Sequence, residues 1–286
     1  MRIANSAGRV ILLDAEDRVL DVEAASGGLF SADPQAVYAR WDEFRAWAVT
    51  ASVVDAQKKS SQPSAPEALH AVVPRPAQVF AIGLNYRDHA VESGFALPAE
   101  PVVFTKYVSS FTGPTGDITL SPGHVDWEIE LVAVIGTGGR DIAEHEGWDH
   151  VAGLTVGQDI SDRITQFLAA PPQFGMGKSY PGYSPLGPCL VTPDELPDRD
   201  DIALGCEVNG TSVQKSSTAD MVFSVPTLVA KLSAIVELLP GDVIFTGTPA
   251  GVGQGRDPQQ FLHPGDELTS WISGIGHMRH RFLAPA

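Results

Sequence analysis

The stretch Asp126-Trp127-Glu128-Ile129-Glu130-Leu131-Val132-Ala133-Val134-Ile135-Gly136 decides how the chain is read. Its second half is apolar and rich in β-branched residues, as in a strand buried on both faces. Its first half alternates acids with bulky apolar residues. Strand side chains alternate between faces, so Asp126, Glu128 and Glu130 share one face while Trp127, Ile129 and Leu131 take the other. A solvated face is the usual reason for such alternation. Here Val132 and Val134 continue the acidic face, so the strand runs from something polar straight into core. Half-buried carboxylates repel and raise one another's pKa. A hard divalent cation such as Mg²⁺, Mn²⁺ or Ca²⁺ removes that repulsion and takes oxygen ligands. On spacing alone, a metal site and a solvated face both stay open. A third ligand would come from elsewhere, and the segment 155–163 (TVGQDISDR) offers Asp159 at the end of a candidate strand. Asp162 reads equally well as a helix N-cap, and Asp159 as a turn residue.

The chain has 286 residues, 43% of them hydrophobic, enough for a sizeable core. With 35 Asp and Glu against 19 Lys and Arg, its formal charge is −16. That charge repels phosphate backbones and anionic lipid, so neither nucleic acid nor a membrane surface is expected as a partner. An anionic substrate would need local positive charge from a few basic residues or a metal. Cys189 and Cys206 are the two cysteines, too few for a disulfide framework. The first residues lack a basic segment followed by a long apolar one, and no apolar run has the length of a membrane span. The expectation is a cytoplasmic globular protein.

Short strands are expected at Arg9–Leu13 and Val19–Val22. A helix is expected from Pro34 to Lys59, with Val37, Trp41, Phe44 and Ala48 as its apolar stripe and Asp33-Pro34 as its start. The Ser-, Pro- and Gln-containing segment 58–78 reads as a linker, dividing a small N-terminal α+β domain (1–70) from a main domain (71–286). From Val79 onward, strands punctuated by Gly and Pro dominate: VFAIG, PVVFTK, DITL, EIELVAVIG, ALGCEVNG and DVIFTG. Helices are expected around Asn85–Ser93 and within 224–242, the latter striped by Leu228, Leu232, Ile235 and Leu239 and ended by Pro240-Gly241. Strands and helices do not alternate regularly, and no Gly-rich nucleotide-binding signature follows a strand. The fold class expected is therefore α+β and strand-rich.

Seven blocks in this order resemble the fumarylacetoacetate hydrolase superfamily: 82–94 (IGLNYRDHAVESG), 101–118, 126–136, 153–163, 175–188 (GMGKSYPGYSPLGP), 206–210 and 238–253 (LLPGDVIFTGTPAGVG). The segment before them resembles the variable front domain of longer bacterial members. The resemblance implies a mixed β-sandwich roll. It implies Mg²⁺ or Mn²⁺ on Glu128, Glu130 and Asp159, with Ca²⁺ as a stand-in, and leaves Asp126 behind the ligands or facing solvent. It implies a His89–Glu92 dyad, which at i and i+3 on a helix can meet. Lys178 is implied near the substrate's oxo oxygen, and Arg163 and Thr248 near its carboxylate, where a forked guanidinium suits the group. Ile164 after Arg163 and Tyr180-Pro181 after Ser179 depart from the family's common residues, which leaves the substrate open.

The activity so implied is hydrolysis of a C–C bond in a β-diketo acid of acylpyruvate or fumarylpyruvate type. Glu92 would polarise His89, His89 would activate water, and a pyruvate enolate would leave, stabilised by the metal and Lys178. The same residues would serve an oxaloacetate decarboxylase or a 2-hydroxyhepta-2,4-diene-1,7-dioate-type isomerase. An inert binding protein with a structural Ca²⁺ is the rival from another class. The resemblance also implies a homodimer acting on a small anionic oxo acid.

Overall fold

The computed structural model describes residues 1–286 apart from Ala15, 55–67, Ser93, Phe95 and Ala286. Its described residues form two mixed sheets and a two-stranded antiparallel pair, Val125–Asp126 with Ser161–Asp162. The larger one runs in the order Val19–Asp21, Arg9–Leu13, Arg2–Ser6, Ser184–Val191, Val151–Gln158, Ile129–Ile135, Val243–Phe245, Val79–Gly83 and Val102–Phe104. Leu69–His70 and Phe111–Thr112 add short strands beside it. The smaller sheet runs Thr211–Ser217, Ala203–Val208, Glu267–Ile272, Gly276–Leu283 and Thr115–Thr119. The strand-rich α+β class expected from the sequence is the one observed.

Strand Ile129–Ile135 is central and buried at every position. Ile129, Leu131, Ala133 and Ile135 belong to a core shared with Leu204, Leu268 and Phe282 of the smaller sheet. Val132 and Val134 belong to a second core, under the helix Trp41–Val54, with Trp41, Phe44 and Ala48. The period-2 alternation thus sorts one strand's side chains into two apolar layers. Each large side chain so buried contributes about 2 kcal/mol from the area removed from water.

The N-terminal strands continue the same sheet, because Arg2–Ser6 hydrogen-bonds in antiparallel register to Ser184–Val191. Strands at Arg9–Leu13 and Val19–Asp21 lie close to where the sequence placed them. The helix expected at Pro34–Lys59 does not. It begins at Trp41, after a single 3-10 turn at Tyr38–Arg40, and not at Pro34. Asp33 instead closes a turn, accepting from the Gln35 N–H at 3.0 Å, and pairs with Arg75. Of the linker expected at 58–78, residues 58–67 lie outside the described residues. The later helix runs only over Val225–Ser233. Leu228 and Leu232 are buried, but Ile235 is 77% exposed, so the stripe stops two turns before Pro240. Ser233 ends the helix by accepting the Ile142 N–H with its hydroxyl, which ties the last turn to another segment.

Candidate active site

Antiparallel pairing positions the three acids. Ile129 opposes Gln158 and Glu130 opposes Gly157, so the two strand ends finish side by side. The Asp159 N–H then donates to the Glu128 carbonyl at 2.9 Å. Gly157 is required at this crossing, since a Cβ there would lie 2.4 Å from Val132 Cγ2. The regular strand ends at Ile129, and side-chain amides replace the missing ladder partners. Gln158 Oε1 accepts the Glu128 N–H and Gln214 Oε1 the Ile129 N–H, both at 2.9 Å. Carboxylate oxygens of Glu128, Glu130 and Asp159 lie within 4.8 Å of one another, and all three residues are buried.

Cations of the chain surround this cluster. Lys178 Nζ is 2.7 Å from Glu128 Oε2 and 2.6 Å from Asp159 Oδ2. Arg163 Nη1 is 2.8 Å from Glu128 Oε1. Lys106, 1% exposed, donates to Asp159 Oδ1 at 2.5 Å and to the carbonyls of Lys178 and Tyr183. Burial opposes ionisation of Glu128, but Lys178 and Arg163 override it and hold its pKa down at about 2. Burial and the charges of Asp159 and Glu128 push Glu130 well above the usual carboxylate range. Burial pulls Lys178 down, and Asp159 and Glu128 more than compensate, so it stays charged. Burial wins at Lys106, whose pKa falls.

The three acids suit a hard divalent cation. They are all-oxygen donors, they are buried, and their mutual repulsion shows in the raised pKa of Glu130. The ion pairs do not exhaust them, because each carboxylate oxygen carries a second lone pair. Three protein carboxylates would leave such an ion open to substrate and water.

His89 and Glu92 sit on the short helix Arg87–Glu92. His89 Nδ1 and Glu92 Oε2 are 3.0 Å apart, and Glu92 Oε1 accepts the Gly251 N–H at 2.9 Å. Burial pushes Glu92 up, but its bonds to His89 and the Gly251 N–H bring it below its ordinary value, so it is a carboxylate at neutral pH. Asn85 fixes the start of this helix by bonding to Phe223 and Thr246 backbone. Thr248 Oγ1 accepts from Gln214 Nε2 at 2.8 Å. His89, Glu92, Glu128, Arg163, Lys178 and Thr248 all line one cavity of about 520 Å³. The structure therefore brings together every site residue singled out in the sequence, with Glu130 and Asp159 joined to the cavity through the acidic cluster.

Two contributors, Lys106 and Gln166, were not singled out, and Asp126 takes the first of the two places left open for it, behind the ligands. Lys106 follows an apolar strand, where a lysine reads as a surface cation; its only signal was being basic in so acidic a chain. Gln166 accepts from Arg163 Nη1 at 2.9 Å and also lines the cavity. Asp126 is not solvent-facing but fully buried. Its Oδ2 accepts from Arg163 Nε and Nη2 at 2.9 and 2.6 Å, and it also accepts the N–H groups of Gly253 and Gln254. One carboxylate thus aims the arginine and anchors the loop forming the opposite cavity wall.

Comparison with known proteins identifies the family. The family model described as fumarylacetoacetate (FAA) hydrolase C-terminal matches residues 78–283. Human mitochondrial oxaloacetate tautomerase FAHD2A is 43% identical over 208 residues, 72% of this chain and 66% of its own. The chain thus spans just under two thirds of that relative. A crystal structure from Mycobacterium smegmatis assigned as HpcE is 50% identical, with a TM-score of 0.94 and full coverage of both chains. Maleylpyruvate hydrolase from Sphingobium sp. SYK-6, solved with manganese(II) and pyruvate, is 26% identical, with a TM-score of 0.80 and full coverage of both chains. The ordered blocks, the two-sheet fold and the matched model agree: the chain belongs to the fumarylacetoacetate hydrolase family.

Proposed function

We propose that the protein is a Mg²⁺- or Mn²⁺-dependent hydrolase that cleaves the C–C bond of an acylpyruvate-type β-diketo acid. The observation that carries this reading is the His89–Glu92 pair opening into the same cavity as Glu128 and Lys178. A purely structural metal site needs neither group, which argues against an inert binding protein.

In this reading Glu128, Glu130 and Asp159 hold the ion. When bound, the ion supplies positive charge and Lewis acidity at the substrate's 2-oxo end. Arg163, aimed by Asp126, and the Thr248 hydroxyl meet the carboxylate beside it. Glu92 accepts the Nδ1–H of His89, which leaves Nε2 as the base facing the cavity. His89 Nε2 takes a proton from water, whose oxygen bonds to the distal carbonyl carbon. The C–C bond then breaks, with its electron pair passing to the pyruvate fragment. Lys178, a charged donor held in a buried setting, stabilises the negative charge that develops on that fragment's oxygen. The imidazolium of His89 returns the proton, giving a carboxylic acid and pyruvate.

A second reading is favoured by the 43% identity to oxaloacetate tautomerases. There His89 shuttles a proton between the carbon and oxygen of an enolisable 2-oxo acid, and water takes no part. Decarboxylation of oxaloacetate needs the same charge stabilisation and less of a base. Turnover of acylpyruvates and oxaloacetate with Mg²⁺, Mn²⁺ or EDTA separates these. Metal-dependent acylpyruvate cleavage lost in both Glu130→Gln and His89→Ala is expected. Enolisation of oxaloacetate without cleavage of any acylpyruvate would select the second reading, and full cleavage by Glu130→Gln would overturn the first.

A further inference from the structure

We infer that the substrate's acyl end is apolar, an aryl or unsaturated hydrocarbon group, and carries no second carboxylate. This rests on the reading above, in that the 2-oxo acid end lies at the acidic cluster. The cavity has two unlike ends. At the inner end Arg163 and Lys178 are both engaged with Glu128. Among the described residues lining the cavity these are the only lysine and arginine. A substrate with one carboxylate beside its oxo group therefore uses the cationic groups on offer.

The outer end is aromatic. Phe104 and Phe174 meet edge-on at 5.7 Å between ring centres, and Phe167 packs edge-on against Phe174 at 6.1 Å. Val102 continues this wall towards the mouth, with Phe167 51% and Val102 39% exposed. The wall begins beside the reacting end, since Lys178 Nζ lies 5.2 Å from the centre of the Phe104 ring. Exposed phenylalanine lining a cavity gains by covering with an apolar group. A flat acyl group meets such rings in the offset or edge-on arrangements they favour. A carboxylate there would lose water without gaining a cation. Glu92, which lines the same cavity, is itself a carboxylate and would repel it.

The test separates the cavity's preference from the reaction. Binding to the Mn²⁺-loaded protein is measured by calorimetry for 4-phenyl-2-oxobutanoate and 2-oxoglutarate, which differ only in phenyl against carboxylate at the far end. The phenyl probe should bind at least about tenfold more tightly, the scale of a modest apolar-pocket preference. Equal binding, preference for 2-oxoglutarate, or binding of neither overturns the inference. In turnover, benzoylpyruvate should exceed fumarylpyruvate in kcat/KM by a similar factor. Phe167→Arg, at a half-exposed position that tolerates a polar side chain, should shrink or reverse both ratios. If neither diketo acid is cleaved while the phenyl probe still binds preferentially, the proposed reaction falls and the cavity preference stands.

Discussion

At Gly255 the site leaves no room for a side chain: a Cβ there would lie 2.7 Å from Glu92 Cδ. Glu92 is the end of a rotatable chain, so Gly255→Ala should fold with little loss of stability yet push the carboxylate away from His89. Misplacing a catalytic group by an ångström costs up to about a hundredfold. The variant should therefore lose about ten- to a hundredfold in kcat while its thermal midpoint moves little; unchanged kcat would remove Glu92 from the mechanism. Glu128 and Glu130 could be read in the sequence because alternation alone puts them on one face. His89 and Glu92 could be read through the family resemblance, and the one helical turn between them lets them meet. Asp126 was legible as a residue behind the ligands, but its partners were not, being Arg163, thirty-seven residues on, and backbone N–H groups beyond residue 250. Lys106 was hidden in the same way, its partners being Asp159 and two distant carbonyls.

Elements were legible where periodicity alone decides them, and less so at their ends. The strands at 9–13, 79–83 and 203–208 needed only apolar composition and turn residues. The helix start at 34 was misjudged because Asp33 and Pro34 suit a tight turn as well as an N-cap, and Arg75, forty-two residues on, favours the turn. The stop at Ser233 was missed because it depends on a tertiary bond to Ile142. The strand Gly276–Leu283 carries a titration of its own at His280. Its Nε2 lies 3.0 Å from the Gly113 carbonyl, and Nδ1 has no hydrogen-bond partner among the described residues. Burial lowers its pKa from 6.5 to about 4, against the opposing pull of that carbonyl. The folded protein therefore holds His280 neutral where the unfolded chain binds a proton. Stability from this source is complete above about pH 6.5 and is lost as pH falls towards 4, roughly 3 kcal/mol in all. His280→Gln keeps a donor for Gly113 without titrating. Urea unfolding across pH 4–7 should show a flatter profile for this variant, whereas an identical slope would contradict the assignment.

Across the whole molecule, two cores meet at one strand, and the acidic cluster sits at that strand's end. A cation bound there is linked to global stability, worth about 2.7 kcal/mol at a hundred times its Kd. Mn²⁺ should raise the thermal midpoint and EDTA should reverse the rise. Glu130→Gln copies the neutral carboxyl that burial already favours, so the metal-free variant should melt at or above wild type while losing the Mn²⁺ shift. A variant that keeps the full shift would exclude Glu130 as a ligand. Among the described residues no helix is long and apolar enough to cross a membrane. The pairing of Arg2–Ser6 with Ser184–Val191 also sets a timetable during synthesis. At about 5–20 residues per second, Arg2–Ser6 waits on the order of ten to forty seconds for its partner to leave the ribosome. Meanwhile Ile3, Val10 and Leu12, destined for the core under Trp41 and Phe44, lack the strand that seals one side of it. A strand made well before its neighbour must wait for one from the later half of the chain, and a nascent-chain chaperone has that interval in which to act.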